Sequence, residues 1–379
     1  MILTLLILFA FFLLHYIFFL KNILVGLKKV REEKNNTNNN EFVSLIIPFR
    51  NEEENLIESI KSITSQTLGK DRYEVLYVDD NSDDNSAKIL ETILKEKENN
   101  IRVLKSPFTS EERAHKKKAL KYAIENSNGE IIITTDADCH HGSEWLETMV
   151  NSFDENTGFV SGPVEFISNG NLFSDLQKIE FSSLILVGAG LIGIKQPIIC
   201  NAANLGFRKS VFNKVGGYED NLNISSGDDE FLMQKISRDT DYDVKFCYDK
   251  KAISFTEPNK NIEQFYQQRK RWASKSLHYI KKSIILKLVL IFLFYLGIII
   301  QLLLGIFYNK IFLLSFAISF FVKVLMDYFV VQNGSKDLFT KVGNMKFALA
   351  EILHIPYILI SAISGIFGNY KWKGREIKR

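Results

Sequence analysis

Cysteine is scarce. Cys139, Cys200 and Cys247 are the only three in 379 residues, and neither their number nor their spacing fits a disulfide framework or a zinc site. A reducing compartment fits them, as small packing residues. The six histidines are scattered and give no zinc pattern. His140-His141 follow Asp138 closely enough to leave a further metal ligand open, with a solvated loop as the plainer reading. Net charge is only +3. That is weak for a nucleic-acid partner, and the basic residues gather near apolar segments. Residues 1–20 lack any acidic or basic side chain apart from His15. They also lack a preceding basic region and a following small-residue cleavage pattern, which counts against a cleaved signal peptide.

What is present is unevenly spread. Hydrophobic residues make up 46% of the chain, concentrated in 1–20, 284–331 and 347–367, while about 40–280 has the composition of a soluble protein. A run of about 20 apolar residues matches a bilayer core. We therefore expect a transmembrane helix at 1–22, a polar linker at 23–41, a soluble domain at 42–275 and a membrane region at 276–379. Lys21, Lys28, Lys29 and Arg31 follow the first span and place the soluble domain in the cytosol. The expectation is a multi-pass protein of the cell (inner) membrane. Spans at 284–307 and 311–331 are joined by the tight turn Tyr308-Asn309-Lys310. In the second, Lys323 and Asp327 lie four apart and can pair, facing protein rather than lipid. The segment 347–367 contains Glu351, His354 and Pro356. If it spans, the basic tail lies outside, against the positive-inside rule; if it is re-entrant or interfacial, the tail stays cytosolic.

Within the soluble domain, strand-like and helix-like segments alternate. Strands are expected at 43–47, 74–78, 101–104 and 130–135, and helices at 52–65, 83–96 and 116–125. Strands apolar on both faces argue for an α/β fold, a mostly parallel sheet covered by helices. Ligands of such sheets bind beyond the carboxyl ends of the strands. Asn51-Glu52, Asp79-Asp80 and Asp136/Asp138 each follow a strand.

Asp136-Ala137-Asp138 carries the most information. Two carboxylates one residue apart at a strand end can share a hard divalent cation, Mg²⁺ or Mn²⁺, that also binds a substrate phosphate. Asp79 and Asp80 can accept hydrogen bonds from a base or ribose, with Asp83 or Asp84 capping the next helix. His115 and Lys116 to Lys118 open a helix, where a lysine can meet a diphosphate; a solvated charge run is the plain alternative. Asp228 and Asp229 precede another helix, a place suited to capping and equally to a general base for a hydroxyl nucleophile. Gln268, Arg271 and Trp272 lie just before the membrane. They read either as an interfacial flank or as a site giving Arg271 to a phosphate and Trp272 to a sugar face.

Pro48-Phe49-Arg50-Asn51-Glu52, Asp79-Asp80-x-Ser82, Asp136-x-Asp138, Asp228-Asp229 and Gln268-x-x-Arg271-Trp272 occur in one order. In this the chain resembles the membrane-bound family 2 glycosyltransferases over about 43–275. The last motif is similar to that of cellulose, chitin and hyaluronan synthases, poly-N-acetylglucosamine synthase and ceramide glucosyltransferase. The family's usual Glu-Asp appears here as Asp228-Asp229, and its Gly-Lys as His115-Lys116. The resemblance implies the GT-A (nucleotide-diphospho-sugar transferase) fold between N- and C-terminal transmembrane helices. It implies that Pro48, Asn51, Glu52, Asp79, Asp80 and Lys116 bind a nucleotide-sugar, with Asp80 and Glu52 on the uridine part. Asp136 and Asp138 hold nucleotide and metal, Asp229 is the base, and Asp228, Gln268, Arg271 and Trp272 serve diphosphate and acceptor.

The function so implied is inverting, metal-dependent sugar transfer from a UDP-sugar to a lipid or growing glycan at the cytosolic membrane face, with other envelope-biosynthesis subunits, and no nucleic acid, as expected partners. A processive polysaccharide synthase with export partners is the near alternative. A non-catalytic nucleotide-sugar-binding scaffold, and a nucleotidyltransferase, are alternatives of other classes. The retained carboxylates argue against the scaffold, and Gln268-x-x-Arg271-Trp272 against the nucleotidyltransferase.

Overall fold

The computed structural model describes residues 1–33, 38–94, 100–108, 115–222, 224, 226–340, 343–372 and 375–377. Residues 34–37 of the linker, and Lys373, Lys378 and Arg379 of the basic tail, lie outside them. Helix α1 (Ile2–Glu32) leads into β1 (Val43–Phe49), α2 (Leu56–Thr64), β2 (Tyr73–Asp79), α3 (Ser86–Leu94), β3 (Ile101–Lys105), α4 (His115–Glu125) and β4 (Ile131–Thr134). Then come β5 (Cys139–His141), α5 (Trp145–Val150), β6 (Thr157–Ser161), β7 (Val164–Phe166), α6 (Leu172–Gly193), β8 (Leu205–Arg208), α7 (Lys209–Lys214) and α8 (Glu230–Asp239). The chain closes with β9 (Asp243–Phe246), β10 (Ser254–Thr256), α9 (Ile262–Ser274), α10 (Lys282–Phe307), α11 (Ile311–Ser335), α12 (Asn344–Phe367) and the hairpin β11 (Tyr370–Trp372) and β12 (Arg375–Ile377).

The main sheet has the order β3-β2-β1-β4-β8-β6-β9. Its first four strands are parallel, because helices return the chain between them; β8 runs antiparallel to both neighbours. Strands β1, β2 and β4 are buried along their whole length, as their largely apolar sequences predicted. Pro48 sits past the last β1–β4 pair, Ile46 with Thr134, so its missing N–H falls where pairing to β4 has ended. The stretch from β6 to β7 is two strands in different sheets, broken at Gly162-Pro163. At Gly162 the Asn204 side chain leaves no room for a Cβ.

Helix α1 runs on to Glu32, past the expected span end at residue 22. Its last turns pack on α6 so closely that a Cβ at Gly26 would meet the Gly190 carbonyl oxygen at 1.8 Å. Small residues at a helix crossing permit that approach. Among the described residues, five helices are long and apolar enough to cross a membrane: α1, α6, α10, α11 and α12. Lys323 and Asp327 do pair, at 3.0 Å, and Lys323 is fully buried. The pair is knotted to two further helices, with Tyr16 of α1 donating to Asp327 at 2.6 Å and Glu351 of α12 bonded to Lys323. Helix α12 stays against the soluble domain. Lys346 near its start reaches Asp175 at 2.5 Å, the Tyr357 ring lies 5.4 Å from that of Phe265, and Gly365 abuts Ala273 of α9.

Candidate active site

One cavity of about 1560 Å³ runs from the carboxyl edge of the parallel strands to the membrane helices. Four elements deliver its polar floor. β1 ends at Pro48 and Glu52, β2 at Asp80, β4 at Asp136 and Asp138, and the start of α8 brings Asp228 and Asp229. α4 adds Lys116, and α9 adds Gln268, Arg271 and Trp272. Side chains far apart in sequence converge because parallel strands end on the same edge.

Two expected members are not brought there. Asn51 and Asp79 do not line the cavity; they build the turns beneath it. Asn51 adopts φ +53° and accepts the Asp83 N–H at 2.8 Å, while Asp79 accepts the Ser82 N–H at 2.8 Å. Their polar character serves the backbone, a competing use of Asn and Asp near strand ends. Asp84 accepts the Ser86 N–H at 3.0 Å and so caps α3. His141 is neither a solvated loop residue nor placed as a ligand. It is buried in β5, lies 3.8 Å from the Trp145 ring and bonds Thr135 and Ser254; burial lowers its pKa to about 3.

The two lysines at the start of α4 separate cleanly. Lys116 donates to Asp136 at 2.6 Å and lies 3.5 Å from Asp228. Burial opposes its charge, but those carboxylates outweigh it and raise its pKa. Burial likewise opposes ionisation of Asp228, and Lys116 and Lys117 overcome it, holding its pKa below the usual range. Lys117 points elsewhere, to the carbonyls of Asn221 and Ile224, and burial pulls it down to about 8. Asp229 is held by the N–H groups of Glu230 (2.7 Å) and Ala202 (3.1 Å).

Sequence reasoning missed Arg269, which sits between the motif positions Gln268 and Arg271. Arg269 is 2% exposed, bonds Glu180 of α6, and lies over the rings of Trp272 (4.3 Å) and Phe265 (4.5 Å). Tyr357 of α12 donates to the same Glu180 at 2.7 Å. This network fixes α9 against α6 and α12, and Phe181 stacks on Trp272 at 5.8 Å. A charge amid apolar spacing on α9 was the available signal. Breaking a buried ion pair by removing one partner costs about 3–5 kcal/mol. Arg269→Met is therefore expected to lower the thermal unfolding midpoint of the purified chain sharply; an unchanged midpoint would refute this structural role.

The fold is that of the GT-A nucleotide-diphospho-sugar transferases. The mannosyltransferase PcManGT from Pyrobaculum calidifontis, solved in complex with GDP-Man and Mn²⁺, matches with TM-score 0.61 at 16% identity, covering 96% of this chain and 97% of that one. The model of glycosyl transferase family group 2 matches residues 131–331, and that of glycosyl transferase family 2 matches 44–216. The chain belongs to glycosyltransferase family 2. It is 32% identical over 211 residues to the glycosyltransferase AglE of Haloferax volcanii, which is 55% of this chain and 65% of that protein. It is 34% identical over 231 residues to the poly(ribitol-phosphate) beta-glucosyltransferase of Bacillus spizizenii, 59% of this chain and 35% of that one. The chain spans less than two thirds of the length of the curated relatives it matches.

Proposed function

We propose that this chain transfers a sugar, with inversion, from a nucleotide-sugar to a lipid acceptor at the cytosolic face of the membrane. The observation that carries the reading is the continuity of the cavity. Its floor is acidic and polar, whereas its far walls are apolar residues of α10 and α12, such as Leu288, Phe292, Ile358 and Ala362. A hydrocarbon chain fits those walls while its head reaches Asp229.

Asp136 and Asp138 suit a hard divalent cation. They are paired oxygen donors on the cavity floor, and the Lys116 ammonium on Asp136 marks a point where Asp136 and Asp228 already converge on positive charge. Mg²⁺ or Mn²⁺ held by Asp136 and Asp138 would neutralise the leaving diphosphate. Arg271 has no side-chain partner among the described residues and lines the same cavity, so it can take a phosphate directly. Glu52 and Asp80 line the nucleotide end. Asp229 takes the proton of the acceptor hydroxyl as that oxygen attacks the anomeric carbon and the sugar–phosphate bond breaks. Crossings by α1, α10 and α11, with α12 lying along α9 at the interface, keep domain and basic tail on the cytosolic side, as the positive-inside rule asks.

The test is transfer in isolated membranes given labelled UDP- and GDP-sugars with Mn²⁺ or Mg²⁺. Label is expected in the lipid extract. Label confined to high-molecular-weight material would replace the lipid reading with a polymer synthase, and transfer from no donor would overturn the proposed activity.

A further inference from the structure

Behind Asp229 lies a buried set of groups that the transfer step as described does not use. Lys275, three residues past Trp272, places Nζ 3.5 Å from Asp229 Oδ1 and 3.1 Å from Glu230 Oε2. Tyr279 donates to the same Glu230 oxygen at 2.5 Å. Asp229, Glu230, Lys275 and Tyr279 are all under 9% exposed. We propose that Lys275 and Glu230 are positioning residues for the base: Lys275 holds Oδ1 of Asp229 so that Oδ2 faces the acceptor, and Glu230 anchors Lys275. This rests on the reading of Asp229 as base.

The bonding around Asp229 decides which oxygen reacts. Oδ1 takes the Glu230 N–H at 2.7 Å and faces the Lys275 ammonium. Oδ2 takes only the Ala202 N–H, at 3.1 Å, among the described partners. A carboxylate offers about four lone-pair sites, two on each oxygen. The spare capacity is therefore on Oδ2, and the acceptor proton goes there. Opposite charges attract more strongly in a buried site than in water. The Lys275 ammonium beside Oδ1 therefore fixes which way the Asp229 carboxylate turns.

Glu230 has a distinct part. Once Asp229 has taken the proton, Lys275 keeps only Glu230 as a charged partner within 4 Å among the described residues. An unpaired buried ammonium is costly, so the Glu230 carboxylate stabilises the moment after proton transfer. Burial pushes Glu230 up to about 7, with Lys275 pulling it down and Asp229 pushing it further up. Burial opposes the Lys275 charge, and Asp229 and Glu230 outweigh it, raising its pKa. The other titratable groups that act on this set are Asp228, which faces Lys275, Cys200 from the loop before β8, and Lys116, Lys117 and Tyr218 around Asp229. The cysteine and tyrosines are neutral near pH 7, because burial raises all three well above their ordinary values.

A positioning role separates kcat from donor KM and is rescued by a residue that keeps the charge; a merely structural role predicts neither. Lys275→Met is expected to lower kcat about 10- to 100-fold, with donor KM changed less than about threefold. Lys275→Arg keeps the cation and should recover most of that rate. Glu230→Gln keeps the shape and a partner for Tyr279 but loosens the hold on Lys275, and should lower kcat by a smaller factor with donor KM again little changed.

These constants are measured on the full-length chain in membranes, with Asp229→Asn beside them. Binding of UDP and GDP in the presence of Mn²⁺ reports folding, and Glu230→Gln decides the matter if Lys275→Met does not fold. Lys275→Met at the wild-type kcat, or a lost kcat that Lys275→Arg does not recover, with Asp229→Asn inactive, overturns the positioning role alone. Asp229→Asn at the wild-type rate overturns the base itself.

Discussion

Asp229→Asn is expected to lower sugar transfer by about 10²–10⁴-fold, the usual contribution of a positioned general base. The substitution is close to isosteric. Asparagine is as good as aspartate at a helix N-cap, the place Asp229 holds at the start of α8 by accepting the Glu230 N–H. The cavity floor should keep its shape, and donor KM should stay near wild type. What is lost is the capacity to take a proton. The measurement is initial rate against donor concentration in membranes carrying each protein at matched levels. A rate within about threefold of wild type would remove Asp229 from the reaction. A parallel collapse of nucleotide binding would instead show a folding defect.

Loss of the Asp136 and Asp138 carboxylates should be as severe. For the double variant Asp136→Asn with Asp138→Asn, transfer is expected to fall about 10³-fold or more, because electrostatic stabilisation of a leaving group is commonly a large term in the barrier. The two positions differ in their surroundings. Asp136 already carries Lys116 at 2.6 Å, so Asp136→Asn alone also releases that ammonium toward Asp228, 3.5 Å from it. Asp138 lies beside the Cys139 thiol, which donates to it at 3.7 Å. Asp138→Asn alone should raise the Mn²⁺ concentration needed for half-maximal rate, because it removes one of the paired oxygen donors and leaves the Lys116–Asp136 contact in place. Chelation of wild-type membranes should stop transfer, and added Mn²⁺ or Mg²⁺ should restore it. Full activity after exhaustive chelation would eliminate the metal from the proposal.

Much of the fold could be read from the chain. The parallel strands announced themselves as short apolar runs with acidic residues at their ends, because a strand buried on both faces has no polar face to show. The boundaries were less legible. α2 begins at Leu56 rather than 52, since residues before it are held in a turn by cross-bonds to the 82–86 loop. α1 outlasts the apolar run because its last turns pack on α6 through Gly26, Gly190 and Gly193, a contact that no local pattern in 21–32 displays.

The candidate site divides in the same way. Sequence by itself pointed to the α/β class, to α1, α10, α11 and α12 as long apolar helices, and to Asp136, Asp138 and Asp229, which line the cavity, because strand ends and helix starts fix where such groups emerge. It also determined the Lys323–Asp327 pair, since four residues is one helical turn. Tertiary structure alone decided which neighbours count. It put Lys116, not Lys117, on the cavity floor and set Asn51 and Asp79 into turns. It tied Arg269 to Glu180, 89 residues away, and Lys275 to Asp229, on separate elements. It laid α12 along α9. The reason is physical: local periodicity fixes the face on which a side chain emerges, whereas the partner of a buried charge is set by how separate elements pack, and that information is spread over the whole chain.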